Sequence, residues 1–163
     1  MAMQSVNKKA ISRIYGRGRG WAYLSNDFVW NFNRGQIDNA LSELCREGKI
    51  RRVCRGGYDY PKYSELLRQD LSPDFDQVAQ AFARKFNWRI QPAGDTALNL
   101  LGLSSQVPGR LVYLSDGPNR QYDIGNYTLE FKNSALKDVG FRYRESGLIV
   151  QALKALGQER VGV

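Results

Sequence analysis

Residues 34–60, RGQIDNALSELCREGKIRRVCRGGYDY, decide how this chain is read. Ile37, Leu41, Leu44 and Cys45 recur at i, i+4, i+7 and i+8, one apolar stripe of a 3.6-residue period. Asn33 is placed to cap this helix, Arg46 suits the negative end of its dipole, and Gly48 lets the chain leave it. Ile50–Cys54 and Tyr58–Tyr60 are short β-prone runs around Arg55-Gly56-Gly57, and paired glycines tolerate the backbone of a tight hairpin. Pro61 ends the second run because it has no amide hydrogen for a ladder. An amphipathic helix followed by a basic hairpin predicts the working end of a winged helix-turn-helix.

Arg34 opens the helix, and its polar side is read as Gln36, Asn39, Ala40 and Glu43. Gln and Asn can each make paired bonds to an adenine edge, and a small residue between them lets a helix approach the groove. The same residues would also serve as an ordinary solvated face; the hairpin favours the DNA reading. Arg51, Arg52 and Arg55 lie on or beside its tip, where a wing meets a minor groove or phosphates. Strict alternation puts Arg51 and Val53 on one face, and a bulge would change that, so which arginine faces DNA stays open.

Upstream, Val6, Ala10, Ile11, Ile14 and Tyr15 fit one face of a helix over about 6–15. Gly16-Arg17-Gly18-Arg19-Gly20 follows without a preceding strand and without the Lys-Ser/Thr of a P-loop, so it reads as a connector whose Arg17 and Arg19 meet DNA phosphates. Trp21 and Tyr23 are expected to close the core. Ser25 is expected to cap a short helix over 26–31, with Phe28, Val29 and Trp30 as its apolar surface.

Charge agrees with this division. The 163-residue chain carries +8 at pH 7, with a pI near 9.7. Residues 1–70 hold 13 basic and 7 acidic side chains, a balance of +6, whereas residues 71–163 hold 11 and 9, a balance of +2. A basic half joined to a near-neutral half predicts one nucleic-acid domain and one with another task. The expected organisation is a winged helix-turn-helix over 1–63, a linker over 64–72 and a C-terminal α+β domain over 73–163. The two cysteines form no C-x-x-C pair, and there is no histidine, which removes Ser-His-Asp triads and His-ligated zinc. No catalytic residue, metal site or cofactor is predicted. The N-terminus has no apolar core of a signal peptide and no aliphatic run could span a bilayer, so no membrane association and a cytoplasmic location are expected.

In the second half, Ser72-Pro73-Asp74 reads as a helix start, with Phe75, Val78, Ala79, Phe82 and Phe86 at helical spacing. Residues 64–71 read as a linker or the end of a small helix, and 88–90 as a short strand. Asp95 is expected to cap a helix over 96–101 that Gly102 stops. Residues 111–114 read as a buried strand, 120–124 and 127–131 as a hairpin, 141–143 as another strand and 148–156 as a last helix. Together these predict an α+β fold with mostly antiparallel strands.

Two blocks of residues carry a family resemblance. Ile14-Tyr15-Gly16-Arg17-Gly18-Arg19-Gly20-Trp21-Ala22, then Gly48-x-Ile50-Arg51-Arg52-Val53-x-Arg55-Gly56-x-Tyr58-Asp59-Tyr60-Pro61, form the first. The second is Gln91-Pro92-x-Gly94, Asn99-Leu100-Leu101-Gly102-Leu103-Ser104, Gln106-Val107-Pro108 and Tyr113-Leu114-x-Asp116-Gly117-Pro118. In this order they resemble AbiEi-type antitoxins, and more narrowly a short branch described as DUF6088. The resemblance implies a DNA-binding winged-helix domain and a C-terminal domain tied to antitoxin activity. It further implies repression of the protein's own operon and opposition to a nucleotidyltransferase toxin. Double-stranded operator DNA, read by a homodimer on inverted repeats, and that toxin are the expected partners. A plain winged-helix repressor without an antitoxin role is the alternative. A further alternative is a metal-dependent nuclease, because Asp116, Glu130 and Lys132 have the outline of two metal-holding carboxylates and a water-positioning lysine. Glu-x-Lys on a strand is, however, common as an ordinary surface pair.

Overall fold

The computed structural model describes residues 2–28, 32–103, 109–125 and 127–134, together with 149, 152, 153, 155 and 156 near the C-terminus. Among them it holds four α-helices and three sheets with mostly antiparallel pairing, an α+β fold. The chain divides into two compact units, residues 1–85 and 86–163.

In the first unit α1 spans Ala2–Arg17 and buries Val6, Ala10 and Ile14 at i, i+4 and i+8. It runs longer than the apolar stripe indicates. Tyr15, expected on the buried face, is 49% exposed and leans on Tyr60 with ring centroids 5.1 Å apart. Gly18 ends the helix in the left-handed region (φ 91°), and its N–H reaches back to the carbonyls of Ile14 and Tyr15. Strand β1 (Ala22–Leu24) leads into a 3-10 helix, Ser25–Phe28, with Phe28 fully buried. Val29 and Trp30 lie outside the described residues.

Helix α2 (Arg34–Arg46) starts on a capping box. Asn33 Oδ1 accepts from the Gln36 N–H at 2.9 Å, and Gln36 Oε1 accepts from the Asn33 N–H at 3.1 Å. It ends in a glycine turn: Gly48 has φ 77°, its N–H bonds the Cys45 carbonyl, and the Lys49 N–H bonds that of Leu44. Strands β2 (Arg51–Cys54) and β3 (Gly57–Asp59) form the hairpin, and the sheet order is β1-β3-β2. Its register shifts between Arg52 and Cys54, so the bulge is present. Gly56 turns the tip at φ 76°; Gly57 is buried so tightly that a Cβ there would lie 2.6 Å from Cys54 Sγ. One core joins these pieces, with Ile14, Trp21, Tyr23, Phe28, Ile37, Leu41, Leu44 and Tyr58 among its members. Fully burying a side chain such as Leu41 contributes about 2 kcal/mol.

Residues 64–71 are neither linker nor helix end. Strands β4 (Tyr63–Ser64) and β5 (Gln69–Asp70) pair antiparallel, and Arg68 takes the positive φ of the turn. Helix α3 (Phe75–Phe86) follows, capped by Asp74 rather than Ser72: Asp74 Oδ1 accepts from the N–H groups of Asp76 and Gln77. Through Lys85 this helix groups with the first unit and not with the second half. Arg84 supplies one reason, bonding both carboxylate oxygens of Asp27 and the Ala22 carbonyl.

The second unit is built on a four-stranded sheet ordered β6-β7-β9-β8: Ile90–Pro92, Arg110–Ser115, Tyr127–Asn133 and Arg120–Ile124. The β7–β9 pair is parallel and the other two are antiparallel. Leu111, Tyr113, Ile124, Leu129 and Phe131 are buried. Helix α4 (Gly94–Leu100) starts after Ala93 with no side-chain cap, so Asp95 does not serve as one; Gly102 follows its end at φ 72°. Ala97 and Leu98 on α4 pack with Ala152 and Ala155 of the C-terminal helical residues. The expected strand over 141–143 and the motif residues 104–108 lie outside the described residues.

Candidate nucleic-acid interface

Ile37, Ala40, Leu41 and Leu44 are the buried residues of α2. They lie at i, i+3, i+4 and i+7, so the side facing away from the core carries Gly35, Asn39, Ser42 and Arg46, all exposed. This rotates the face away from the expected set. Ala40 is 2% exposed and belongs to the core, so it cannot meet a base. Glu43 is half-buried and accepts a hydrogen bond from Asn7 Nδ2 of α1 at 2.8 Å. Gln36 is exposed but occupied as the capping partner of Asn33. Asn39 keeps its predicted exposure. Ser42 and Arg46 were missed. Counting Ala40 into the apolar stripe would have found them, because it moves the opposite face onto their positions.

The hairpin arginines separate sharply. Arg51 pairs across the strands with Asp59, donating from Nε at 3.0 Å and Nη2 at 2.8 Å, and a third bond reaches the Leu71 carbonyl. The Asp59 side chain is 2% exposed, so Arg51 is held to neutralise it and is not a groove contact. Burial pushes the Asp59 carboxyl up, and the hydrogen bond and charge of Arg51 oppose that. The bulge after Arg52 leaves Arg52 and Arg55 exposed, and neither has a carboxylate partner among the described residues.

Arg52 and Arg55 line a groove of about 430 Å³ with Arg34, Asp38 and Ser42 of α2 and with Lys85. Arg34 stands 3.7 Å from Asp38, an exposed i, i+4 pair, and Asp38 also accepts from the Ser25 hydroxyl. The described lining thus holds one carboxylate, paired with Arg34, and three further cations. Lys85 was also missed, because its place on α3 gave no local sign that it would reach this groove.

Arg17 and Arg19 do not join that groove. Arg19 donates to the Pro61 carbonyl at 2.9 Å and lies over the Tyr60 ring; Arg17 lies over Trp21. The residues of the nuclease alternative are partly engaged elsewhere. Glu130 forms an ion pair with Arg110, Asp116 Oδ1 accepts from the Arg89 N–H at 2.9 Å, and Lys132 is exposed. Among the described residues no three His, Cys, Asp or Glu side chains gather as a metal site. Among the same residues no helix is long and apolar enough to cross a membrane.

Residues 9–162 match a family described as "Family of unknown function (DUF6088)", and the chain belongs to that family. No curated protein and no solved structure matches it.

Proposed function

We propose that the first unit is a winged helix-turn-helix that binds duplex DNA, with α2 as its recognition helix and β2–β3 as its wing. The order helix, strand, short helix, helix, hairpin, with β3 between β1 and β2, supports this reading. The observation that carries it is the shared groove: Arg52 and Arg55, which form no ion pair among the described residues, and the start of α2 line one surface rich in cations. Asn39, Ser42 and Arg46 read base edges, and Arg34, Arg52 and Arg55 take phosphates. The protein acts in the cytoplasm as a homodimer on inverted half-sites. It is not an enzyme; it represses its own operon and, as its resemblance to AbiEi-type antitoxins suggests, counters a nucleotidyltransferase toxin.

A gel-shift titration on the region upstream of the protein's own gene, against a scrambled duplex, tests the first part. Specific binding is expected, with the logarithm of affinity falling by about 0.9 per phosphate contacted for each unit of log salt. No preference for the upstream region would defeat the repressor reading. Co-expression with the neighbouring gene tests the second part. Rescue from that gene's toxicity by an Arg52→Glu/Arg55→Glu variant would separate toxin neutralisation from DNA binding, and absence of rescue by the native chain leaves a plain repressor.

A further inference from the structure

The Gly-Arg turn walls a second cavity of about 440 Å³ in the first unit. This cavity and the helix–hairpin groove share no lining residue. Gln77, Gln80 and Arg84, at i, i+3 and i+7, place one face of α3 along it, and Lys62 closes another side.

Its charges are unequally committed. Arg84 donates from Nε and Nη2 to the Asp27 carboxylate and from Nη2 to the Ala22 carbonyl. Arg19 uses one donor on Pro61 and keeps the rest of its fork. Arg17 and Lys62 have no carboxylate partner among the described residues. The exposed Lys62 stem runs alongside Gly20, which has φ 96°; a Cβ there would fall 2.6 Å from Lys62 Cε. Asp74, the one carboxylate of the wall among the described residues, is spent on the N-terminus of α3. Beside the cavity, burial and the charges of Arg17 and Arg84 push the Arg13 pKa down, against the opposing pull of Asp27. Positive charge is therefore in excess here.

We propose that this cavity binds a free mononucleotide, its phosphate on Arg17, Arg19 and Lys62 and its base edge on the amides of Gln77 and Gln80. An inorganic phosphate would leave most of the volume empty, whereas small-ligand sites begin at about 300 Å³. Paired side-chain amides offer the donors and acceptors that a base edge requires. The site stands whether or not the helix–hairpin groove binds DNA.

Calorimetric titration of the full-length protein with AMP, GMP, CMP, UMP and inorganic phosphate tests this. At least one nucleotide should bind about tenfold or more tighter than phosphate. Lys62→Glu should weaken it by about tenfold or more and Gln80→Leu by about three- to tenfold, both melting near the native temperature. Arg55→Glu should leave nucleotide binding unchanged. Equal binding of nucleotide and phosphate, loss in Arg55→Glu, or retention in Lys62→Glu would each overturn the site. Random duplex DNA should not displace the nucleotide from the Arg52→Glu/Arg55→Glu variant; if it does, the phosphate chemistry belongs to nucleic acid and the free-nucleotide assignment falls. Failure of the gel shift with nucleotide binding intact would count against the DNA reading alone.

Discussion

Some charged residues in the positive groove of the first unit and in and beside the sheet of the second are used in opposite ways. In the sheet, Arg110 faces Glu130, Asp116 takes the Arg89 N–H and Asp123 takes the Thr128 hydroxyl. In the groove, Arg52 and Arg55 are exposed and form no ion pair among the described residues. The same contrast runs inside the hairpin, where Arg51 is tied to a buried acid and Arg55, four residues on, is not. Net charge follows it at the observed boundary too: residues 1–85 hold 15 basic and 9 acidic side chains, a balance of +6, and residues 86–163 hold 9 and 7, a balance of +2. A charge paired with a buried partner, as Arg51 is with Asp59, supports the fold, while unpaired charge on an ordered surface is available to a partner.

The largest effect should come from breaking the paired arginine of the hairpin. Arg51→Ala leaves Asp59 buried without its cation and should lower unfolding free energy by about 3 kcal/mol in urea melts. The pH dependence has a definite sign. Burial already raises the folded Asp59 pKa, and losing Arg51 removes the groups that oppose it. An acid with a raised folded pKa binds its proton more readily in the fold than in the unfolded chain. Stability is thus lost as pH rises from the ordinary Asp range through the folded pKa, and regained on acidification. The deficit of Arg51→Ala should accordingly narrow as pH is lowered toward the ordinary Asp range.

Reversing the unpaired charges should leave stability alone and act on DNA. Arg52→Glu/Arg55→Glu is expected to weaken duplex binding by about 100-fold at low salt and to flatten the salt slope by about 0.9 per phosphate lost. Arg110→Glu, in the paired region, should change neither; an equal loss from it would erase the contrast. On α2 the corrected face can be sharpened with adjacent residues. Ala40→Gln, entering the core, should cost about 2 kcal/mol of stability. Asn39→Ala should cost almost none, and should relax sequence preference by about 1 kcal/mol in competition binding. The smallest effect is expected at Glu130→Gln, about 0.5 kcal/mol in thermal melts, with magnesium-dependent nicking of plasmid DNA at background before and after. Nicking abolished by this change would restore the nuclease alternative.

The elements of the first unit were legible because their signals are local. The spacing of Ile37, Leu41 and Leu44, the Asn33 cap and the Gly56-Gly57 tip each act within a few residues. The β4–β5 hairpin was not, since two two-residue strands carry no periodicity. Asp74 displaced Ser72 as the α3 cap, and Asp95 gave way at α4 because both residues could cap on paper and only backbone geometry chooses. At the candidate interface the error was one of rotation: Ala40 looks neutral in sequence and is decided by the packing of α1 against α2.

By itself, the sequence determined the basic first half, the helix, glycine stop and hairpin in order, and the absence of histidine chemistry, because composition and short-range periodicity need no partner. Only the tertiary structure decided which cations are free. Arg51, Arg52 and Arg55 are equivalent in the sequence, and a bulge plus a buried Asp59 make the first a structural ion pair and leave the other two exposed. Arg17 and Arg19 were likewise moved to a separate cavity by Lys62 and α3, residues more than forty positions away. Charge is written in the chain, but its availability depends on distant groups brought close by folding.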